Sequence, residues 1–125
     1  MREILCRGKS LDNGKWESGY LLENQGRTFI YHATNDDGRI VVAAVEVDPY
    51  TVGQYTGLKD KNGKKIYEAD ILTVTFRNMG VVEWRDGGFV VNFGDMGVFE
   101  LTHCFGYTYQ MCITGNIHDN ADLIK

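Results

Sequence analysis

Short stretches of alternating polar and apolar residues, separated by glycine-containing turns, are the feature that most constrains this chain. No stretch has the sustained apolar spacing of i, i+3, i+4 and i+7 that an amphipathic helix needs. The chain has 15 glycines and 1 proline, so tight turns are frequent and chain breaks are rare. This pattern is typical of antiparallel strands joined by hairpins. The sequence therefore predicts a mainly β protein, with a helical turn only at residues 120–125.

Turn signals divide the chain into successive predicted strands. Residues 39–48 are the most apolar of these stretches, and we expect a strand there that is buried on both of its faces. Asn62-Gly63 is a strong hairpin signal, because these residues accept the left-handed backbone that a tight turn requires. The predicted strands are residues 4–7, 16–23, 27–33, 39–48, 71–76, 81–85, 89–93, 98–101 and 109–117.

A soft internal division is predicted near residues 48–53, around Pro49, the only proline. This segment is too short and too apolar for a flexible linker. We therefore expect residues 1–125 to form a single domain in which two small β lobes are fused, with partly open barrel character. The stretch 67–93 has an acidic turn followed by Gly-Val-Val-Glu-Trp and Gly-Gly-Phe, and it resembles a Src-homology-type small barrel.

Charge, apolar run length and cysteine content indicate the class of protein. The formal net charge is −4 and the sequence pI is about 5.3, which does not suit a general polycation for nucleic acid. The longest apolar run, residues 40–45, is far below the roughly 20 residues of a membrane-spanning helix. The charged first residues do not resemble a secretory signal. Three cysteines without a Cys-x-x-Cys pair favour a reducing, cytoplasmic location, and the short apolar runs predict no membrane contact.

Four side chains are candidate zinc ligands: His103, Cys104, Cys112 and His118. Their spacing matches no usual zinc pattern. His103 and Cys104 are also neighbours, so in a strand they would point to opposite faces. Free cysteines are commonly small buried hydrophobes, and we therefore predict no metal site.

Glu68 and Asp70 are a candidate carboxylate pair, because residues two apart in extended backbone share a face. Such a pair could work as an acid and a base or bind Mg²⁺. Asp70 directly precedes a predicted strand, however, where carboxylates commonly accept backbone N–H groups in a turn. The chain also lacks a Gly-x-Ser-x-Gly elbow and a phosphate-binding loop. We expect no enzymatic activity, no catalytic residues and no cofactor.

The basic turn around residues 59–65 is the candidate binding site. Lysines supply contacts to phosphates, and exposed aromatic rings supply surfaces on which bases stack. Tyr55 and Tyr67 flank the turn, and Trp84 and Arg85 lie on a later predicted strand. The alternative is a solvated lysine-rich turn whose tyrosines belong to the core. The predicted binding residues are Lys59, Lys61, Lys64, Lys65, Tyr67, Trp84 and Arg85.

Residues 48–71 carry a specific resemblance. They run Asp-Pro-Tyr-Thr-Val-Gly-Gln-Tyr-Thr-Gly-Leu-Lys-Asp-Lys-Asn-Gly-Lys-Lys-Ile-Tyr-Glu-Ala-Asp-Ile and resemble the central signature of the YopX family. The start of the chain and residues 113–120, Ile-Thr-Gly-Asn-Ile-His-Asp-Asn, are also similar to that family. Two positions depart from its pattern. Ala69 stands where the family usually has glycine, and His118 stands where it usually has tyrosine.

The resemblance implies a mainly β protein encoded by phages, prophages and other mobile elements, with no assigned biochemical function. Together with the missing catalytic motifs, it predicts a non-enzymatic protein-interaction module. The expected partner is a host or phage protein, or a second copy of the chain. The alternative function is nucleic-acid binding through the turn at residues 59–65.

Overall fold

A computed structural model describes residues 4–75, 78–101 and 111–124, and these residues are mainly β strands. The prediction of a mainly β fold is therefore confirmed. Short 3₁₀ turns occupy Pro49–Thr51, Gly94–Met96 and Ala121–Ile124, the last within the predicted helical turn. The strands are β1 (Cys6–Lys9), β2 (Trp16–Asn24), β3 (Arg27–Asp36), β4 (Arg39–Glu46), β5 (Gly53–Lys59), β6 (Lys65–Tyr67), β7 (Asp70–Thr75), β8 (Asn78–Arg85), β9 (Gly88–Asn92), β10 (Val98–Glu100) and β11 (Cys112–Asn116).

The chain divides into two compact units, Met1–Gln54 and Tyr55–Lys125, next to the division predicted near residues 48–53. In the first unit the antiparallel strand order is β4-β3-β2-β1, and the first two residues of β5 pair with β1. In the second unit the rest of β5 pairs with β6, and a second antiparallel sheet has the order β10-β9-β8-β7-β11. That sheet is open as far as the structure describes it, because its outer strands, β10 and β11, do not pair with each other.

The predicted turns form because glycine and its neighbours accept positive φ. Two-residue hairpins with positive φ at both central residues have the type I′ geometry, which matches the twist of the flanking strands. In the part of the chain that the structure describes, three turns are of this kind: Gln25-Gly26 (φ 52° and 77°), Asp37-Gly38 (52° and 83°) and Asp86-Gly87 (51° and 83°).

Each unit has its own hydrophobic core. In the first unit Cys6, Ile30 and Val47 are buried, with Val52 packed against them. The second unit has a larger core, built from strands β6 to β9, the residue after β10 and the residue before β11: Ile66, Leu72, Val82, Val91, Leu101 and Met111. The small core of the first unit leaves much of β2, β3 and β4 uncovered. Among the described residues, no helix is long and apolar enough to cross a membrane.

The prediction that residues 39–48 are buried on both faces is wrong. Every residue from Arg39 to Ala44 is exposed, and Ile40 has 77% of its surface accessible. An apolar strand is buried on both faces only when other elements cover both sides of its sheet. Among the described residues, no element covers residues 39–44, the part of β4 next to the hairpin turn.

Ala69 has a backbone conformation that an alanine rarely adopts. Its φ is 77°, in the turn between β6 and β7. Its N–H donates to Val82 O at 2.7 Å, and its carbonyl accepts the N–H of Ile117 at 3.0 Å. These two hydrogen bonds fix the strained conformation. The position is the one at which the resembling sequences carry glycine, so the structure gives a physical reason for that preference.

Ala69→Gly is expected to raise the free energy of unfolding by about 0.5–1 kcal/mol, since glycine adopts positive φ without the clash of a Cβ atom. Urea unfolding followed by circular dichroism measures the change. Ala43→Gly, at an exposed strand position without positive φ, is the control and should lower stability by about 0.5–1 kcal/mol. A loss of stability in both variants would contradict the strain at Ala69.

Candidate functional site

Asp60 organises the basic turn between β5 and β6. Its Oδ1 accepts the N–H groups of Asn62 and Lys64, both at 2.9 Å, and its Oδ2 accepts the N–H of Ile113 at 3.0 Å. The carboxylate is buried, with 5% of the residue exposed. The turn is therefore fastened to β11, a strand 53 positions further along the chain.

The pKa of Asp60 is lowered, although burial by itself would raise it. Hydrogen bonds from Ile113, Lys64 and Asn62 to the charged carboxylate, together with the positive charge of Lys64, outweigh the cost of burial. The carboxylate is thus stabilised in its ionised form inside a turn whose other charged groups are lysines.

The predicted binding residues on this turn differ in accessibility. Lys59, Lys61 and Lys64 are exposed, and Lys65 is half-buried, with its Nζ 5.3 Å from the ring centroid of Tyr55. Tyr67 is only 7% exposed and packs against Tyr55 with a centroid distance of 5.7 Å. The tyrosines therefore belong to the interior and offer no open ring face for stacking. Nucleic-acid binding by the lysines stays a prediction.

Trp84 and Arg85 lie on β8, in the other sheet of the same unit. Trp84 is 52% exposed, and its ring meets Phe89 edge-on at a centroid distance of 4.8 Å. Arg85 Nη2 lies 2.8 Å from Glu83 Oε1, so its charge is balanced within its own strand. These contacts keep both side chains with their sheet neighbours and do not join them to the turn at residues 59–65.

The candidate metal and carboxylate residues are placed only in part. His103 and Cys104 lie outside the described residues, while Cys112 is half-buried, with its sulfur 3.7 Å from Asn62 Nδ2. No group of three potential metal ligands occurs in the described ranges. Asp70 is 1% exposed, and its Oδ2 accepts the N–H of Tyr67 at 2.8 Å, which is the turn role predicted as the alternative to catalysis.

The first unit has an exposed apolar surface that the sequence pattern did not reveal. Strand register places Tyr20 beside Tyr31, Leu22 beside Phe29 and Val42 beside Ala33, all on the sheet face opposite the buried Ile30. Half of the surface of Tyr20 and 62% of that of Val42 are accessible. We call this surface the outer face and define it by Tyr20, Leu22, Phe29, Tyr31, Ile40 and Val42.

Contacts within the outer face join its aromatic side chains to their neighbours. The rings of Tyr20 and Tyr31 have centroids 5.6 Å apart. Arg27 lies over the ring of Phe29 and donates two hydrogen bonds to the carboxylate of Glu46, at 2.8 and 3.1 Å. Hydrogen bonding to Arg27 lowers the pKa of Glu46. The outer face is thus apolar in its centre and bordered by a neutralised ion pair.

Single exposed hydrophobic residues are normal on a protein surface, but the outer face is a contiguous group of them. Tyrosine, phenylalanine and arginine are enriched in the centres of protein interfaces, and large exposed apolar patches commonly mark interaction sites. The sequence did contain a signal for the outer face. Neighbouring strands carry more apolar residues than the core of a short first unit can bury, but the pattern alone does not show which of them remain uncovered.

Comparison with known proteins supports the fold. The crystal structure of a protein from Enterococcus faecalis is similar over 100% of both chains, with a TM-score of 0.69 and 23% sequence identity. At that identity the similarity concerns the fold alone. No curated protein matches this sequence. The profile described as YopX protein matches residues 7–125. Since this match covers nearly the whole chain, the protein belongs to the YopX family.

Proposed function

We propose that this chain is a non-enzymatic, phage-associated protein of the cytoplasm that works as a protein-interaction module. The observation that carries the proposal is the outer face, an exposed apolar sheet surface with aromatic side chains at its centre. Leaving such a surface in water is unfavourable by roughly 25 cal/mol per Å² of apolar area, and binding a protein partner would remove that cost.

Three further observations support the proposal. The chain carries no recognisable nucleophile or phosphate-binding motif, and Asp70, half of the candidate carboxylate pair, is engaged in its turn. Cys6 and Cys112 carry thiols rather than a disulfide, which suits the reducing cytoplasm. The family resemblance points to phages and prophages as the source of the gene.

Site-specific photo-cross-linking tests the proposal. A photoreactive phenylalanine analogue in place of Tyr20 should give a discrete cross-linked protein in cells that carry the gene, and Leu22→Glu in the same chain should abolish that product. Trp84 is the matched control, because it is also an aromatic residue with about half of its surface exposed but lies on the other sheet. The same analogue there should give no such product. Equal cross-linking at both positions, or none at Tyr20, would contradict the assignment.

The alternative function, nucleic-acid binding, rests on one observation: Lys59, Lys61 and Lys64 are exposed on a turn whose backbone donates two hydrogen bonds to Asp60. If it is correct, affinity for random single-stranded DNA or RNA should fall steeply with salt, since lysines release counterions from phosphates. Changing all three lysines to alanine should weaken binding equally for every sequence. Fluorescence anisotropy at low salt measures this, and the absence of binding by the unmodified protein would remove this alternative.

A further inference from the structure

Strand β4 has an open edge. Among the described strands it is the last of its sheet and pairs only with β3, from Arg39 to Glu46. A strand in this position presents a row of backbone N–H and C=O groups to which another strand can pair. The edge is partly covered at one end, where the N–H of Leu11 donates to Glu46 O at 3.0 Å. The open segment is therefore Ile40 to Ala44.

The hairpin geometry shows which backbone groups point outward. A two-residue turn makes the flanking pair, Asp36 and Arg39, a hydrogen-bonded pair, so the odd-numbered residues of β4 face β3 and the even-numbered ones face away. Two hydrogen bonds agree with this alternation: the N–H of Val47 donates inward to Thr28 O at 2.9 Å, while Glu46 O accepts outward from Leu11. Over the residues that the structure describes, no hydrogen bond reaches the outward groups of Ile40, Val42 or Ala44.

The open segment lacks the features that normally protect an edge strand. Residues 40–45 carry no charge and no proline, and the pairing of β3 with β4 has no bulge. Charged side chains, proline, bulges and short length are the usual means of preventing pairing at an edge. The outer strands of the other sheet do have such means, because β10 is three residues long and the pairing of β11 contains a register shift.

We propose that two copies of this chain associate by antiparallel pairing of β4 with β4, about a two-fold axis at Val42. In this register the outward groups of Val42 bond to Val42 of the partner copy, and those of Ile40 bond to those of Ala44. This inference goes beyond the proposed function, because it concerns the open edge of the sheet rather than the outer face, and it names a second copy of the chain as the partner at that edge.

The register of β4 suits a second copy for two reasons. In a hydrogen-bonded antiparallel pair, the backbone N–H and C=O groups of both opposite residues point towards the other strand. A two-fold axis at Val42 places the outward backbone groups of Ile40, Val42 and Ala44 opposite outward groups of the partner copy. The side chains of Ile40, Val42 and Ala44 also lie on the outer face, so pairing extends the apolar face from one copy into the other. The arrangement is closed, since each copy uses the same edge, and it leaves no β4 edge for further growth.

Sedimentation velocity at several protein concentrations is the first test. The unmodified chain should be a dimer that dissociates on dilution. Val42→Lys places two ammonium groups at the axis and should raise the dissociation constant roughly a hundredfold, because both copies carry the change. The matched control is Val98→Lys on the outer strand β10, where the valine is 42% exposed, and it should leave the dimer intact. A monomer at all concentrations, or equal effects of the two variants, would overturn the proposal.

Hydrogen exchange of the unmodified chain is independent of any effect of substitution on folding. The amides of Ile40, Val42 and Ala44 should gain protection as concentration rises, whereas those of Val41 and Ala43 should be protected throughout. A dimer whose even-numbered amides stay unprotected would show that another surface makes the contact. Cross-linking of Tyr20 to a different protein while the chain stays monomeric would overturn this inference and leave the proposed function standing.

Discussion

Replacing Gly19 with alanine is expected to lower the free energy of unfolding by about 3 kcal/mol, because a Cβ atom there overlaps backbone that cannot easily move. That atom would collide with the carbonyl oxygen of Tyr31 and lie 3.1 Å from its carbonyl carbon. It would also approach Cγ2 of the fully buried Ile30 at 3.2 Å. This overlap can be removed only if β2 and β3 move apart beside the small core of the first unit.

Urea unfolding followed by circular dichroism measures this loss, and Gly88→Ala is the control. An added Cβ at Gly88 meets no atom within 4 Å, and this glycine does not have positive φ, so the control should stay within about 0.5 kcal/mol of the unmodified chain. A loss below about 1 kcal/mol for Gly19→Ala would show that the two strands can move apart without much cost.

Asp60→Asn is expected to lower the free energy of unfolding by about 2 kcal/mol at neutral pH. The replacement has nearly the same shape, and its single amide oxygen can still accept from Asn62 and Lys64. Its NH₂ group would then face the N–H of Ile113, where Asp60 Oδ2 now accepts a hydrogen bond. Two donors opposite each other leave the Ile113 N–H without an acceptor and remove one of the hydrogen bonds that link the turn to β11.

The effect of Asp60→Asn should depend on pH in a definite direction. The pKa of Asp60 is lower in the folded chain than its ordinary value of 3.8, so its ionised form stabilises the fold. This contribution is fully present above the pKa of the unfolded chain and is lost as pH falls through the lower folded value. The stability difference between the two chains should thus be constant above about pH 5 and shrink in more acidic solution.

Urea unfolding between pH 2 and 7 measures this dependence. Asp86→Asn, at an exposed turn position, is the control and should change stability by no more than about 0.5 kcal/mol at neutral pH. A difference between Asp60→Asn and the unmodified chain that stays the same down to pH 2 would contradict the role of the ionised carboxylate.

Most strands and hairpins could be predicted because their signals are local, although β5 and β6 were not among the predicted strands. Asp37-Gly38 and Asp86-Gly87 require positive φ within two residues, and the flanking alternation fixes which residues pair. The sequence also pointed to Ala69, because the sequences of the resembling family usually have glycine at that position. Its φ of 77° shows that the difference from the family pattern has a structural meaning.

The accessibility of the candidate sites could not be predicted, because it depends on contacts between distant residues. Residues 39–48 are apolar in the same way as a strand covered on both faces, and nothing within the segment reveals that cover is missing. The hydrogen bond from Ile113 to Asp60 joins residues 53 positions apart. Tyr67 was expected beside the lysines, but register turns its ring inward against Tyr55.

The position of β11 in its sheet has a consequence for the order in which the chain folds during synthesis. Strands β2, β3 and β4 are consecutive and joined by two-residue turns, so they can pair as soon as they leave the ribosome. β7 instead pairs with β11, which is synthesised about 40 residues later and also supplies the N–H that binds Asp60. One edge of β7 therefore stays unpaired until β11 has been synthesised, and a nascent chain that stops before Cys112 has a folded first unit and an unfinished second one.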